Sequence, residues 1–347
     1  MIGVETGVCP RCGEGVRPGE SFCECCGQPL EAARCVRCGP APVDPEGYCE
    51  RCGLRQPAES DHVEVEAGGA AGVSDRGLRH ARNEDAMALV AADGLTIGVV
   101  CDGVSSSPRP ETASSTAAGT GAATLLAELR SGADPASATR AAVARAAAAV
   151  AALASSPEDA PACTYVSAVV EPGAITVGWV GDSRAYWLRA ESPADRPADA
   201  SAVPAGGPAA STAPVPESAP TVPMPVVPVP VASAPADDSA LLTEDDTAAP
   251  GVLSAWLGAD AGEVEAHVRT LAPEGPGVLL VCSDGLWGYL EEARALAPLA
   301  TGDAPPEAAR ALVRHALAAG GRDNITVLVV PYGPPPGPAP ADLGRNA

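Results

Sequence analysis

Thr96-Ile97-Gly98-Val99-Val100-Cys101-Asp102-Gly103-Val104-Ser105 is a run of β-branched and small apolar residues that ends on an acid followed by glycine. Such a run reads as a buried strand, which puts the Asp102 carboxylate at a strand tip. The same device recurs where Gly277-Val278-Leu279-Leu280-Val281-Cys282-Ser283 runs into Asp284-Gly285. One Asp-Gly pair is an ordinary turn signal, but two buried strands that each deliver one suggest two carboxylates brought together by the fold. Asp85 (in Arg82-Asn83-Glu84-Asp85) and Asp323 (in Gly320-Gly321-Arg322-Asp323-Asn324, ahead of Ile325) sit at comparable junctions before apolar runs.

Hard divalent cations such as magnesium and manganese take oxygen ligands, whereas thiolate and imidazole select softer ions. Clustered carboxylates repel one another unless cations lie among them, so four acids at strand junctions point to a metal site. Cys101 and Cys282 fall inside the expected strands and read as small core residues, not nucleophiles.

Ser74-Asp75-Arg76-Gly77 with Asn83-Glu84-Asp85, Asp102-Gly103, Gly181-Asp182-Ser183-Arg184, Ser283-Asp284-Gly285 and Asp323-Asn324 occur in the order found in metal-dependent protein phosphatases of the type 2C family, which the chain resembles over residues 69–189 and 239–332. The resemblance implies an α+β fold, a four-layer αββα sandwich of two antiparallel or mixed sheets flanked by helix pairs. It also implies a protein-serine/threonine phosphatase that hydrolyses phosphoserine and phosphothreonine with metal-activated water at two Mn²⁺ or Mg²⁺ ions. On the same basis Asp102 bridges both ions, Asp284 and Asp323 complete the shell of the first, and Asp85 and the Gly103 carbonyl address the second. Glu84 is then an outer-shell acid and Asp182 a ligand of a third, more weakly held ion, against the plain alternative of a surface acid in a turn. The family carries an arginine five residues before the first metal aspartate; here that position is His80, so phosphate binding is expected from Arg79 or Arg82. The histidine that some members carry just after the bridging Asp-Gly is replaced by Val104.

Nine of the twelve cysteines precede residue 53. Cys9, Cys12, Cys23 and Cys26 form two CxxC pairs, and Cys35, Cys38, Cys49 and Cys52 repeat the arrangement. Each pair offers two thiolates to one tetrahedral zinc, and the glycine behind it permits a tight turn, so the segment resembles a double zinc ribbon with two structural Zn²⁺. Four-thiolate shells leave no open position and stabilise without catalysing. Cys25 is left over as a spacer thiol.

The formal charge of −22, with 44 acids against 22 bases, argues against nucleic acid and an anionic membrane as partners. No secretory leader or membrane-length apolar run is apparent, so a cytoplasmic location with reduced thiols is expected. The expected organisation is a zinc ribbon over 1–56, a linker over 57–68 and a phosphatase domain over 69–332. Twelve prolines mark 190–238 as a disordered insertion in that domain, and the proline-rich stretch 333–347 reads as a disordered tail. Helices are expected over 113–129, from Asp134-Pro135 to about 154, and from 306 to Gly320. Phosphoproteins, the targets of a Ser/Thr kinase, are the expected partners, with a protein partner for the ribbons. A second class of function stays open at this stage: a catalytically weak or silent metal-binding regulator that recruits partners through the ribbons and the proline-rich loop.

Overall fold

A computed structural model describes residues 7–8, 12–16, 24–26, 35–39, 43–44, 47–156, 159–189 and 239–333. The insertion expected over 190–238 and the tail from 334 lie outside these residues, as do Cys9 and Cys23. The chain divides into two compact units, Met1–His62 and Val63–Ala347.

In the first unit β1 (Gly7–Val8) pairs with β2 (Gly15–Val16). Further along, Cys35 and Cys49 are buried, with Cys38, Cys52 and Leu54 packed against them. Each CxxC turn closes on its glycine: the Gly39 N–H donates to the Cys35 carbonyl (2.9 Å) and the Gly53 N–H to that of Cys49 (2.8 Å).

The larger unit starts with the hairpin β3 (His62–Ala67) and β4 (Ala70–Asp75), then β5 (Ala86–Ala92) and β6 (Leu95–Cys101). Helices α1 (Pro110–Arg130) and α2 (Pro135–Ala151) follow, then β7 (Ala162–Cys163), β8 (Tyr165–Glu171), β9 (Ala174–Val180) and β10 (Arg184–Arg189). The remainder is β11 (Ala240–Leu241), β12 (Thr247–Ala249), β13 (Val252–Leu253), β14 (Leu257–Gly258), β15 (His267–Leu271), β16 (Gly277–Cys282), α3 (Asp284–Trp287), α4 (Ala293–Thr301), α5 (Pro305–Ala318) and β17 (Ile325–Tyr332). β3 runs through the stretch 57–68 expected to be a linker, because Val65 packs on the apolar cluster that both sheets share.

One sheet has the order β15-β9-β8-β6-β5 and the other β11-β10-β16-β17-β4-β3. Three apolar clusters hold the unit together. Val100, Val166 and Val177 of the first sheet meet Leu279, Val281 and Leu328 of the second. On its other side the first sheet packs against the alanine-rich faces of α1 and α2, where Ala117, Ala142 and Ala146 are fully buried. Leu296, Leu312 and Val313 of α4 and α5 cover the second sheet through Leu280 and Val327. Small residues let α1 and α2 approach closely, and α2 begins where the Asp134 carboxylate accepts the Ser137 N–H at 3.0 Å, ahead of Pro135 at the first turn.

Candidate functional site

The acids of the motifs gather at one end of the two sheets because of where the strands stop. Asp102 follows β6 and Asp85 precedes β5 on the five-stranded sheet; Asp284 follows β16 and Asp323 precedes β17 on the six-stranded sheet. Asp182 lies in the turn where the chain passes from β9 in the first sheet to β10 in the second.

Both Asp-Gly pairs need their glycine for close approach. A Cβ at Gly285 would stand 1.8 Å from the Asn324 carbonyl oxygen, and one at Gly103 would stand 2.6 Å from that of Glu84. The two strand tips can therefore pass against the loops that carry Asp323 and Asp85 only if no side chain intervenes.

The backbone around the carboxylates is fixed by buried polar side chains. Thr164 Oγ1 accepts the Asp102 N–H (3.0 Å), and the Thr164 N–H donates to the Asp102 carbonyl (2.8 Å). Ser283 Oγ donates to Asp85 Oδ2 (2.8 Å) while accepting the Thr326 N–H (3.0 Å), which ties Asp85 to the six-stranded sheet. Asn324 spans the 76–84 loop, its Oδ1 accepting the Glu84 N–H (2.7 Å) and its Nδ2 donating to the carbonyls of Arg76 (2.8 Å) and Arg82 (3.1 Å). Trp287 Nε1 donates to the Asp182 carbonyl (2.9 Å), and the Arg184 guanidinium lies 3.8 Å over the Trp287 ring while holding Asp245 through two bonds of 2.9 and 2.8 Å.

The electrostatics are those of crowded acids, of which Asp85 is buried and Asp102, Asp182, Asp284 and Asp323 are half-buried. Burial, and then the charges of Asp85, Asp284, Asp323 and Asp182, push the Asp102 carboxyl well above the carboxylate range. Asp284 is pushed up to about 7 by burial and by Asp323, and Asp182 to about 6 by burial and by Asp245. Asp85 rises to about 6 through burial, against the hydrogen bonds from Thr326 and Ser283. Asp85, which precedes β5, and Asp284, which follows β16, both act on the Asp102 carboxyl, so Asp102 feels the acids of both sheets.

A cation fits this donor set on a direct observation. Among the described residues Asp85 Oδ1 and Asp284 Oδ1 are buried with no hydrogen-bond partner, a costly arrangement for a carboxylate that lacks an ion. The acids are spread more widely than the ribbon thiols. Among the described residues only Cys35, Cys38, Cys49 and Cys52 form a group of three or more ligand atoms within 4.8 Å of one another. In that cluster burial opposes ionisation of Cys35, but the N–H groups of Cys38 and Arg37 and the thiols of Cys49 and Cys52 outweigh it and bring Cys35 down to about 6.

The raised carboxyls give the metal-free protein a pH dependence of definite sign. Asp85 and Asp284 move from 3.8 to about 6 and about 7, so between these values the folded chain binds more protons than the unfolded chain. Stability then falls as pH rises through that window. All four tryptophans lie in the larger unit, so their fluorescence reports its unfolding. The Tm of protein freed of manganese and magnesium is expected to drop from pH 4.5 to 7.5, and added manganese to reverse the drop; a Tm that rises over that range without metal would contradict this account.

Other expected residues fall unevenly. Glu84 accepts the Ser105 hydroxyl at 2.5 Å and lies at the edge of the acids. Arg82 is paired with Glu111 at 2.9 Å, and Arg79 is exposed. The group that does face an acid is His80, whose Nε2 stands 3.1 Å from Asp323 Oδ1. The roles of Ser283, Asn324, Thr164 and Trp287 were not read from sequence; for Ser283, Asn324 and Trp287 the signal available was their position in or near the Asp284-Gly285 and Asp323-Asn324 pairs, and Thr164, 62 residues from Asp102, had none.

Solved structures share the fold. The PstP catalytic domain solved with two manganese ions superposes with a TM-score of 0.52 at 22% identity, covering 78% of this chain and all of that one. The PPM Ser-Thr phosphatase MsPP from Mycobacterium smegmatis, solved with cacodylate, gives 0.54 at 23% identity and the same coverage. The PstP/Ppp serine/threonine phosphatase of Mycobacterium tuberculosis gives 0.52 at 22%, covering 75% of this chain and 96% of that one. No curated protein sequence matches the chain. At these identities the likeness speaks for the fold, and the sequence profile described as Protein phosphatase 2C matches residues 76–319. With well over half its length inside that profile, the chain belongs to the protein phosphatase 2C family.

Proposed function

We propose that the chain hydrolyses phosphoserine and phosphothreonine in proteins at a two-ion carboxylate site. The observation that carries this reading is the pair of buried, unpartnered oxygens on Asp85 and Asp284, at the same end of the sheets as the tip of β6 that carries Asp102. When bound, two Mn²⁺ or Mg²⁺ ions would activate water as the nucleophile and offset charge on the phosphoryl oxygens. Asp102 would hold both ions, with Asp284 and Asp323 on the side of the six-stranded sheet and Asp85 and the Gly103 carbonyl on the other. Asp182, presented by the crossover between the sheets, would hold a third, and Glu84 would act from outside the ligand shell. Ser283 and Thr164 keep Asp85 and Asp102 in place for this, through the bonds already described. His80, fixed beside Asp323, occupies the position from which an arginine grips phosphate in the family, and the proposed contribution of Arg79 or Arg82 would come from the surrounding loop.

The layer order αββα, with the ribbon over 1–56 and the phosphatase domain over 69–332, is part of the same proposal, supported by the three apolar clusters. Cys35, Cys38, Cys49 and Cys52 would hold one structural Zn²⁺, supported by the thiol cluster, and Cys9, Cys12, Cys23 and Cys26 a second. Targets of a Ser/Thr kinase are the proposed substrates. A reducing, cytoplasmic setting, in which these thiolates would stay available to zinc, belongs to the same proposal. No helix among the described residues is long and apolar enough to cross a membrane.

The test is hydrolysis of p-nitrophenyl phosphate and a phosphothreonine peptide with and without manganese. Turnover that requires the ion is the expected result. A folded, manganese-loaded protein that turns over neither substrate would instead favour a recruiting role for the ribbons.

A further inference from the structure

The loop that follows Asp102-Gly103 lines a groove of about 430 Å³. Val104 and Pro108 line it from the loop after Gly103, Ala162 from β7, and Val252, Trp256 and Asp260 from the segment after β12.

Hydrogen bonds join this groove to the site. Gly103 is bridged to Cys163 of β7, and β7 pairs in turn with β14, Cys163 against Leu257 and Ala162 against Gly258. Trp256 is thereby held one residue from a strand that is itself anchored to Gly103. The Val104 N–H donates to the Ala162 carbonyl (2.9 Å), and the Ala162 N–H to Ser107 Oγ (3.1 Å), which closes the floor. The β12–β13 hairpin that carries Val252 is fastened beside Asp182, since the Asp246 N–H donates to the Gly181 carbonyl (3.0 Å) and the Gly181 N–H to Asp246 Oδ2 (2.9 Å). The groove wall and the carboxylates are thus set by one bonded framework.

The groove is open, and its chemistry is divided: Ser106, Ser107 and Asp260 make one part of the lining polar, while Val252, Leu253 and Trp256 form an apolar wall. Val252 is 53% exposed, an uncovered branched side chain. Trp256 Nε1 donates to Asp260 Oδ1 (2.9 Å), so the indole's one polar atom is occupied and it offers ring surface to the groove. Asp260 is the one ionisable residue of the lining, and its charge disfavours an acidic guest.

We propose that this groove is a subsite for an apolar side chain of the protein substrate, close in sequence to its phosphorylated residue. The proposal rests on the phosphatase reading above. A phosphate at Asp102 and Gly103 puts the substrate chain at the head of the loop that begins with Val104. An extended chain advances about 3.3 Å per residue, so a side chain within three places of the phosphoresidue follows that loop toward Val252 and Trp256. Contact between the two apolar surfaces removes both from water.

The test uses the full chain with manganese, and phosphothreonine peptides in which one leucine moves along otherwise glycine flanks from three places before the phosphoresidue to three after. Leucine at a favoured place is expected to raise kcat/KM about tenfold over the all-glycine peptide. Glutamate there is expected to lower it. Val252→Asp and Trp256→Ala are each expected to erase the leucine gain while turnover of p-nitrophenyl phosphate stays within about twofold of wild type. A flat leucine scan, or a gain that survives both substitutions, would overturn the subsite and leave the phosphatase reading standing. Absence of p-nitrophenyl phosphate turnover in the wild type would overturn that reading, and the subsite with it.

Discussion

Asp102→Asn is expected to lower manganese-dependent turnover of p-nitrophenyl phosphate by about 10³-fold or more, while making the metal-free protein harder to unfold. The loss follows from the position of Asp102, which feels the acids of both sheets, where the proposed ions would meet. Charge stabilisation at such a site is worth several kcal/mol, and each 1.36 kcal/mol is about a factor of ten in rate. The gain in stability has a separate cause. The carboxyl is buried among Asp85, Asp284, Asp323 and Asp182, and the amide of asparagine has similar size but no charge to repel them. The backbone at this point is held by Thr164 in both directions and does not depend on the side chain. Thermal unfolding followed by tryptophan fluorescence should therefore show the Asp102→Asn variant melting above wild type without metal and gaining little from manganese. A variant within tenfold of wild-type turnover would remove Asp102 from the proposed site.

Loss of zinc is expected to be the largest effect on the first unit. Among the described residues its buried cluster, Cys35 and Cys49 with Cys38, Cys52 and Leu54 around them, is too small to order a segment by burial alone. Structural zinc contributes an apparent binding free energy of roughly 10–16 kcal/mol that is also folding free energy. Native mass spectrometry is expected to find zinc on the wild type and one ion fewer on Cys49→Ser. Amide hydrogen exchange of the Cys49 and Gly53 N–H groups, which bond to the Leu54 and Cys49 carbonyls, should lose protection in that variant. Wild-type protein that carries no zinc yet keeps those amides protected would refute a structural metal there.

The strands that carry the acids were legible because they are long, apolar and punctuated. β6 and β16 end on Asp-Gly, β17 begins after Asp-Asn, and α2 begins where Asp134-Pro135 announces it. What was not legible depended on neighbours. β15 reads His-Val-Arg-Thr-Leu, a polar edge strand that forms because its partner β9 offers a free side. α4 carries Pro298 inside a nine-residue helix, a breaker that packing of Leu296 and Ala300 overrides. At the site, the acids were visible but the direction of the 76–84 loop was not. That loop is held by Asn324, some 240 residues away along the chain, and by the Gly321 carbonyl, which accepts the Leu78 N–H, so distant partners set where His80 meets Asp323 and Arg82 meets Glu111.

The acids are divided between two sheets, Asp85 and Asp102 on one, Asp284 and Asp323 on the other, with the chain changing sheets at Asp182. Their mutual repulsion therefore acts as a wedge driven into one end of the sandwich, and the apolar cluster around Val100, Leu279 and Leu328 is the clamp that resists it. An ion in that gap would turn the wedge into a rivet. The spacing offered to the proposed ions would then be set by the valines and leucines of that cluster, which would make the inter-sheet packing a part of metal choice alongside the carboxylates.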